Sequence, residues 1–286
     1  SYEADKANQG NTEYHANFRD WLDFFQKNDL VGCCAQTDMK GERLKRPAQQ
    51  SDPDMYLRVV EHRSDGIVVN GCKLHISEAS IADEVLVVPT RALGKDEKEY
   101  AVSFAVPADQ EGLIQVMTPH NARQREHYSR GMQAGYTDSY LIFDNVFVPW
   151  ERVFLCGEND HGSLLALLFA LFHRHSYSGC KPALGDVYTG LAALAAEYNG
   201  IEKTSHVRKV LAEIIKVTEL GYAAGYTAAD FSGPKLQIPG MGTVPFGPGA
   251  YIADSIYSNV GRCLTGEAVF HEQEMLCDIA GGFPAT

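Results

Sequence analysis

The stretch LRVVEHRSDGIVVNGCKLHI, residues 57–76, holds two β-rich runs on either side of Ser64-Asp65-Gly66. Branched side chains favour an extended backbone and a Ser-Asp-Gly triplet favours a tight turn, so the stretch reads as strand, turn, strand. The signature recurs outward. EVLVVP (84–89), YAVSFAVP (100–107) and SYLIFDNVFVPWERVFL (139–155) are further short β-rich runs punctuated by prolines. Residues 31–155 therefore read as a compact, mainly antiparallel β domain, with 91–99 and 119–137 as its loops.

Helical patterns lie on both sides. From Asn11 to Leu30, the apolar residues Tyr14, Phe18, Trp21, Leu22 and Phe25 recur at helical spacing between charged residues, which predicts one amphipathic helix. Beyond Cys156, residues 162–181, 183–198 and 203–231 carry helical patterning, with a break at Asn199-Gly200. Residues 232–249 contain four prolines and five glycines and read as a long loop; a last helix spans about 250–280.

The 286 residues, 45% hydrophobic, can bury the core of one large domain or two ordinary ones without disulfides or a structural metal. Seven cysteines, an odd number at irregular spacing, fit reduced thiols and a cytoplasmic location. With 25 basic and 37 acidic residues the net charge is -12, a field that repels nucleic acid and anionic lipid. The longest apolar run, Leu164 to Phe172, is about half a bilayer span, and SYEADKANQG at the start has no signal-peptide core. Neither a nucleic-acid partner nor a membrane is expected. The first residue is Ser1 rather than Met, which suggests a piece of a longer protein or a processed chain.

The sequence lacks GxGxxG after a strand, GxxxxGK[ST], HExxH and GxSxG, which removes the common phosphate-cradling, zinc-protease and serine-hydrolase classes. Three stretches could carry chemistry. In FHRHSYSGCK, His173, Tyr177 and Cys180 stand at i, i+4 and i+7 on one helix face, with Lys181 beside them. The outer two lie roughly 10 Å apart along the axis, too far for one zinc ion but within reach of a polynuclear cluster. Spacing alone also allows a hydrogen-bonded core histidine, a packing tyrosine and a buried thiol, and favours that reading. AQTDMKGER, residues 35–43, offers Thr37, Asp38, Lys40, Gly41 and Arg43, which could bind a polar ring or a phosphate, or form a solvated turn. In KLHISEASIADEVLVVP (73–89), Ser77 sits between two β runs, at a bend or in a plain loop.

In order and spacing these segments resemble the family of 4-hydroxybutyryl-CoA dehydratase and 4-hydroxyphenylacetate 3-hydroxylase. The likeness covers nearly the whole chain: NTEYHANF, the TDxKGxR element at Thr37 to Arg43, DGIVVNG, KEYAVSFAVP, FDNVFVPWERVFLC, HRHSYSGCK, ALAAEYNG and DIAGG. It implies an α+β, acyl-CoA-dehydrogenase-like flavoprotein fold. Residues 1–30 would end an N-terminal helical domain, 31–155 would form a middle antiparallel β-barrel domain, and 156–286 would be an incomplete C-terminal helical domain. It also implies a homotetramer and an acyl-CoA substrate. For the cofactor FAD it implies contacts at Gln36, Thr37, Asp38, Lys40, Gly41, Glu42, Arg43, His75, Ile76 and Ser77, with Gly281 and Gly282 near a flavin, the chain's own or a neighbouring subunit's.

The dehydratase branch has His, then Tyr, Cys and Lys at the spacing of His173, Tyr177, Cys180 and Lys181, whereas the hydroxylase branch lacks the cysteine. The resemblance thus makes His173 and Cys180 two ligands of a 4Fe-4S cluster, with the other two expected upstream in a Cys-x3-Cys pair. Three positions depart from the pattern: Asp138 stands where the dehydratase has a glutamate, Ser77 replaces a threonine, and Pro182 is expected to kink the ligand-bearing helix. The implied reaction is radical dehydration of a 4-hydroxyacyl-CoA with vinylacetyl-CoA isomerisation. In it His173 is base and ligand, Tyr177 and Lys181 are polar partners, and Asp138 is a proton carrier. The alternatives are an aromatic 3-monooxygenase and a non-catalytic flavin-binding chain.

Overall fold

The computed structural model describes residues 1–117, 138–238, 242–245 and 251–281. The predicted loop 119–137 and Gly282 lie outside them. The chain divides into two compact units, Ser1–Leu167 and Leu168–Thr286.

The first unit opens with helices α1 (Tyr2–Ala7) and α2 (Tyr14–Lys27). Asp5, on α1, accepts hydrogen bonds from the amides of Tyr14 and His15 at 3.0 and 2.8 Å, satisfying donors that the start of α2 leaves open. The apolar stripe of α2 buries Trp21 against Phe154, with ring centroids 5.6 Å apart. Trp21 Nε1 donates to the buried Glu84 carboxylate, which also takes Arg152 Nη1 at 2.8 Å. Both of its partners keep that charge hydrogen-bonded.

Eight strands follow: β1 (Gly32–Ala35), β2 (Arg58–His62), β3 (Gly66–Ser77), β4 (Glu84–Val87), β5 (Val102–Pro107), β6 (Leu113–Met117), β7 (Asp138–Pro149) and β8 (Val153–Cys156). They make two four-stranded sheets, ordered β1-β4-β5-β8 and β2-β3-β7-β6. One core holds Val85, Val102 and Phe104 of the first sheet and Ile67, Val69, Leu141 and Phe143 of the second, so apolar faces from both sheets meet in a single layer. The strands are not closed into the expected barrel: among the described residues each sheet keeps two edge strands, and the isolated bridge Asp38 to Lys73 ties β3 to the loop after β1 rather than to a strand of the first sheet. The pairing is antiparallel except for β1 with β4, which run parallel.

The second unit contains most of α3 (Asn159–Tyr198), then α4 (Ser205–Asp230), the short antiparallel strands β9 (Lys235–Ile238) and β10 (Gly242–Pro245), and α5 (Ser255–Ile279). Its core gathers Ala192, Ala196, Val207, Ile214, Met275 and Ile279. The two helices expected on either side of Pro182 are one helix of 40 residues, unbroken at the proline. Pro182 is buried, and a Cβ on Gly221 of α4 would lie 3.3 Å from its ring, so the bare backbone of the neighbouring helix makes room for it. The 232–249 stretch carries β9 and β10 where only loop was expected.

Candidate functional site

In the first unit the loop expected to meet a flavin is anchored by a buried ion pair. Lys73 Nζ lies 2.8 Å from Asp38 Oδ1, and it donates to the carbonyls of Gln36 at 2.8 Å and Val88 at 3.0 Å. Asp38 Oδ1 also accepts from the Leu57 amide at 3.1 Å, and the Leu74 amide donates to the Thr37 carbonyl at 2.7 Å. Burial pushes the Asp38 carboxyl up, with Lys73 opposing. Asp38 therefore holds the loop, while the half-buried side chains of Gln36 and Thr37 remain beside it.

The backbone then turns through Lys40 and Gly41, at φ 37° and 46°. Side chains other than glycine resist this region, and a Cβ at Gly41 would overlap Gln50 Oε1. Gln50 Oε1 accepts from the Glu42 amide at 2.9 Å, and Gln50 Nε2 donates to the Glu42 carbonyl at 3.1 Å. The clamp leaves Lys40, Gly41, Glu42 and Arg43 exposed, and the Arg43 guanidinium has no carboxylate partner among the described residues.

A bulge in β3 between Lys73 and Ile76 takes in His75, while Ile76 and Ser77 are paired again with Ser139 and Asp138 of β7. His75 sits at φ 56° with its imidazole exposed, edge-on to Tyr140, whereas the Ile76 side chain points into the core. The Ser77 hydroxyl donates to Asp138 Oδ1 at 2.9 Å across the β3–β7 register. Two candidates 61 positions apart are thus hydrogen-bonded partners, and Asp138 is half-buried.

In the second unit, His173 and Cys180 are both exposed on one face of α3, so neither is the core residue that spacing alone favoured. His173 stacks on Phe169 at 5.7 Å, and Cys180 Sγ lies 3.6 Å from the Tyr177 carbonyl. Lys181 Nζ lies 5.0 Å from the Tyr177 ring centroid. Ser178 and Gly185, on the opposite face, meet α4 and α5. Gly281 follows α5 at φ 68°, exposed.

An imidazole and a thiol on one accessible face suit two positions of a larger ligand set. Among the described residues no group of three or more His, Cys, Asp or Glu could hold a metal ion. Cys33, Cys34 and Cys156 are poor thiolate donors, since burial pushes their thiols up to about 11, 12 and 12. Sequence reasoning missed Lys73, Arg262 and Glu272. Arg262 Cζ lies 4.2 Å from the Tyr177 ring centroid, and Glu272, 6% exposed on α5, has its carboxyl pushed up by burial, opposed by Lys181 and His271. A lone Arg and a lone Glu on an amphipathic helix give no sign of pointing inward.

The family models described as 4-hydroxyphenylacetate 3-hydroxylase N terminal and C terminal match residues 1–155 and 163–286. The chain belongs to the 4-hydroxyphenylacetate 3-hydroxylase family. It is 38% identical over 292 residues to the 4-hydroxybutyryl-CoA dehydratase/vinylacetyl-CoA-Delta-isomerase of Clostridium aminobutyricum, covering 100% of this chain and 57% of that protein. The structure of an oxygen-tolerant archaeal 4-hydroxybutyryl-CoA dehydratase from N. maritimus superposes with a TM-score of 0.89 at 31% identity, over 98% of this chain and 54% of that one. The FAD complex of the oxygenase component of 4-hydroxyphenylacetate 3-monooxygenase superposes at 0.83 and 27% identity, over 96% and 56%. Butyryl-CoA dehydrogenase from Megasphaera elsdenii, at 15% identity and a TM-score of 0.60 over 90% of this chain and 60% of that one, shares the fold. The chain spans little more than half the length of these relatives. Among the described residues no helix is long and apolar enough to cross a membrane.

Proposed function

We propose that this chain is the flavin-binding and part of the cluster-binding portion of a 4-hydroxybutyryl-CoA dehydratase with vinylacetyl-CoA isomerase activity, acting on 4-hydroxybutyryl-CoA or a close 4-hydroxyacyl-CoA as a homo-oligomer. The observation that carries the reading is the exposed face of α3, where His173, Tyr177, Cys180 and Lys181 stand together in a chain 38% identical to such an enzyme. FAD would be held by the exposed turn at Lys40 to Arg43, by Gln36 and Thr37, and by the end of β3 at His75 to Ser77. His173 and Cys180 would supply two of the four ligands of a 4Fe-4S cluster.

The β C–H bond of the substrate is far too weak an acid for a side-chain base, while the α proton beside the thioester is within reach of an imidazole. The bound flavin supplies reversible one-electron transfer and the cluster a Lewis acid. His173 takes the α proton. Lys181 and Tyr177 donate hydrogen bonds at the reacting end. Asp138 carries a proton, and the Ser77 hydroxyl on its Oδ1 orients the carboxyl so that Oδ2 serves as the exchanging atom.

The second reading, a flavin-dependent aromatic monooxygenase, is favoured by the FAD-bound hydroxylase relative; there His173 and Cys180 would be structural. Iron and acid-labile sulfide separate the two. The full-length protein purified without oxygen is expected to hold about four of each per chain, and His173→Ala and Cys180→Ser should each lower both. Iron-free protein that hydroxylates a phenol would overturn the dehydratase reading.

A further inference from the structure

Two cations from different helices lie against the Tyr177 ring. Lys181 Nζ, one turn along α3, is 5.0 Å from the ring centroid, and Arg262 Cζ, reaching across from α5, is 4.2 Å from it. Arg262 owes its place to its own helix: a Cβ at Gly266, one turn further on, would overlap Arg262 Nη1, so the guanidinium lies over bare backbone. Arg262 is half-buried and has no ion-pair partner among the described residues, which leaves the ring as its principal contact. A guanidinium stacked on an aromatic face is held by the ring quadrupole and in turn restricts the ring.

We infer that Arg262 is a positioning residue for Tyr177, fixing from α5 the direction of its phenol. This rests on the proposed role of Tyr177 for its catalytic meaning, but the contact stands on geometry alone. It also accounts for Gly266, since any side chain there displaces the guanidinium without altering its charge.

The test uses the full-length holoenzyme labelled with 3-fluorotyrosine, with the Tyr177 resonance assigned through Tyr177→Phe. In Arg262→Gln that resonance should shift or broaden, and kcat with 4-hydroxybutyryl-CoA should fall roughly tenfold while KM stays within about twofold, the size expected for losing one cation–ring contact. Gly266→Ala should show both effects more weakly, and Arg262→Lys should restore part of each. An unmoved Tyr177 resonance in Arg262→Gln and Gly266→Ala overturns the inference. So does a moved resonance with kcat intact, or a loss confined to KM. Should the wild type not turn over this thioester, the dehydratase reading fails while the resonance still decides whether Arg262 positions the ring.

Discussion

Among the described residues Lys73 heads the fully buried side chains, 1% exposed in a β-sandwich. Its three protons meet three acceptors, the Asp38 carboxylate and the carbonyls of Gln36 and Val88. Complete matching is what makes a buried charge tolerable, and removing one partner strands the other. Asp38→Ala is therefore expected to cost ~3–5 kcal/mol in urea unfolding. The double variant Asp38→Ala with Lys73→Met should recover most of it, because no unpaired charge then remains; equal losses in the two would show that the pair is open to water. Asp38 was legible as a charged turn residue, but its role was not, because that role depends on Lys73. Strand β3 is buried on both faces from Gly66 to Val69, which erases the inside-outside alternation that would have placed a lysine in its middle.

Helix α3 shows where local rules yield to packing. Proline lacks an amide proton and crowds the carbonyl four residues back, so a break at Pro182 was the natural expectation. The helix continues because the ring is buried against Gly221, and Ser178, the residue four back, sits in close contact with Gly225 and Gly261. The strands were legible where apolar runs were long, as in β3, β5 and β7. They were not at β1, only four residues long, nor at β9 and β10, a two-stranded antiparallel pair in which both strands are edges and one ends at Pro245. Helix α5 brings a further cost inward at Glu272. Burial raises its carboxyl above the usual range. A raised acid favours the folded state while protonated, and that contribution is fully present below the ordinary carboxylate pKa and lost as pH rises through the folded one. Glu272→Gln should therefore raise Tm at pH 7 and change nothing near pH 4. Thermal melts at the two pH values check this; a gain at pH 4 as large as at pH 7 would show that the carboxyl is not buried.

At the scale of the whole molecule, the proposed flavin contacts are divided between the two units. The turn at Lys40 to Arg43 and the β3 bulge belong to the first, and Gly281 to the second. The turn offers Arg43, a cation with no carboxylate partner among the described residues, and the bulge an exposed imidazole at His75 on a strained backbone. Composition and periodicity gave no hint that these segments act together, since each alone is a polar loop; their order along the chain, shared with a whole family, supplied it. Each set of contacts is therefore tested by a substitution of its own. In the full-length apoprotein, Arg43→Ala should raise the FAD Kd at least tenfold, because a hydrogen bond to a charged group contributes ~1.5–3 kcal/mol. Gly281→Ala, which forces a Cβ onto φ 68°, should raise it roughly fivefold through a strain of ~1 kcal/mol. Flavin fluorescence quenching measures both. If Gly281→Ala binds FAD normally while Arg43→Ala does not, Gly281 is not a flavin contact. If both bind normally, the turn after β1 is only a solvated loop, and FAD must sit elsewhere.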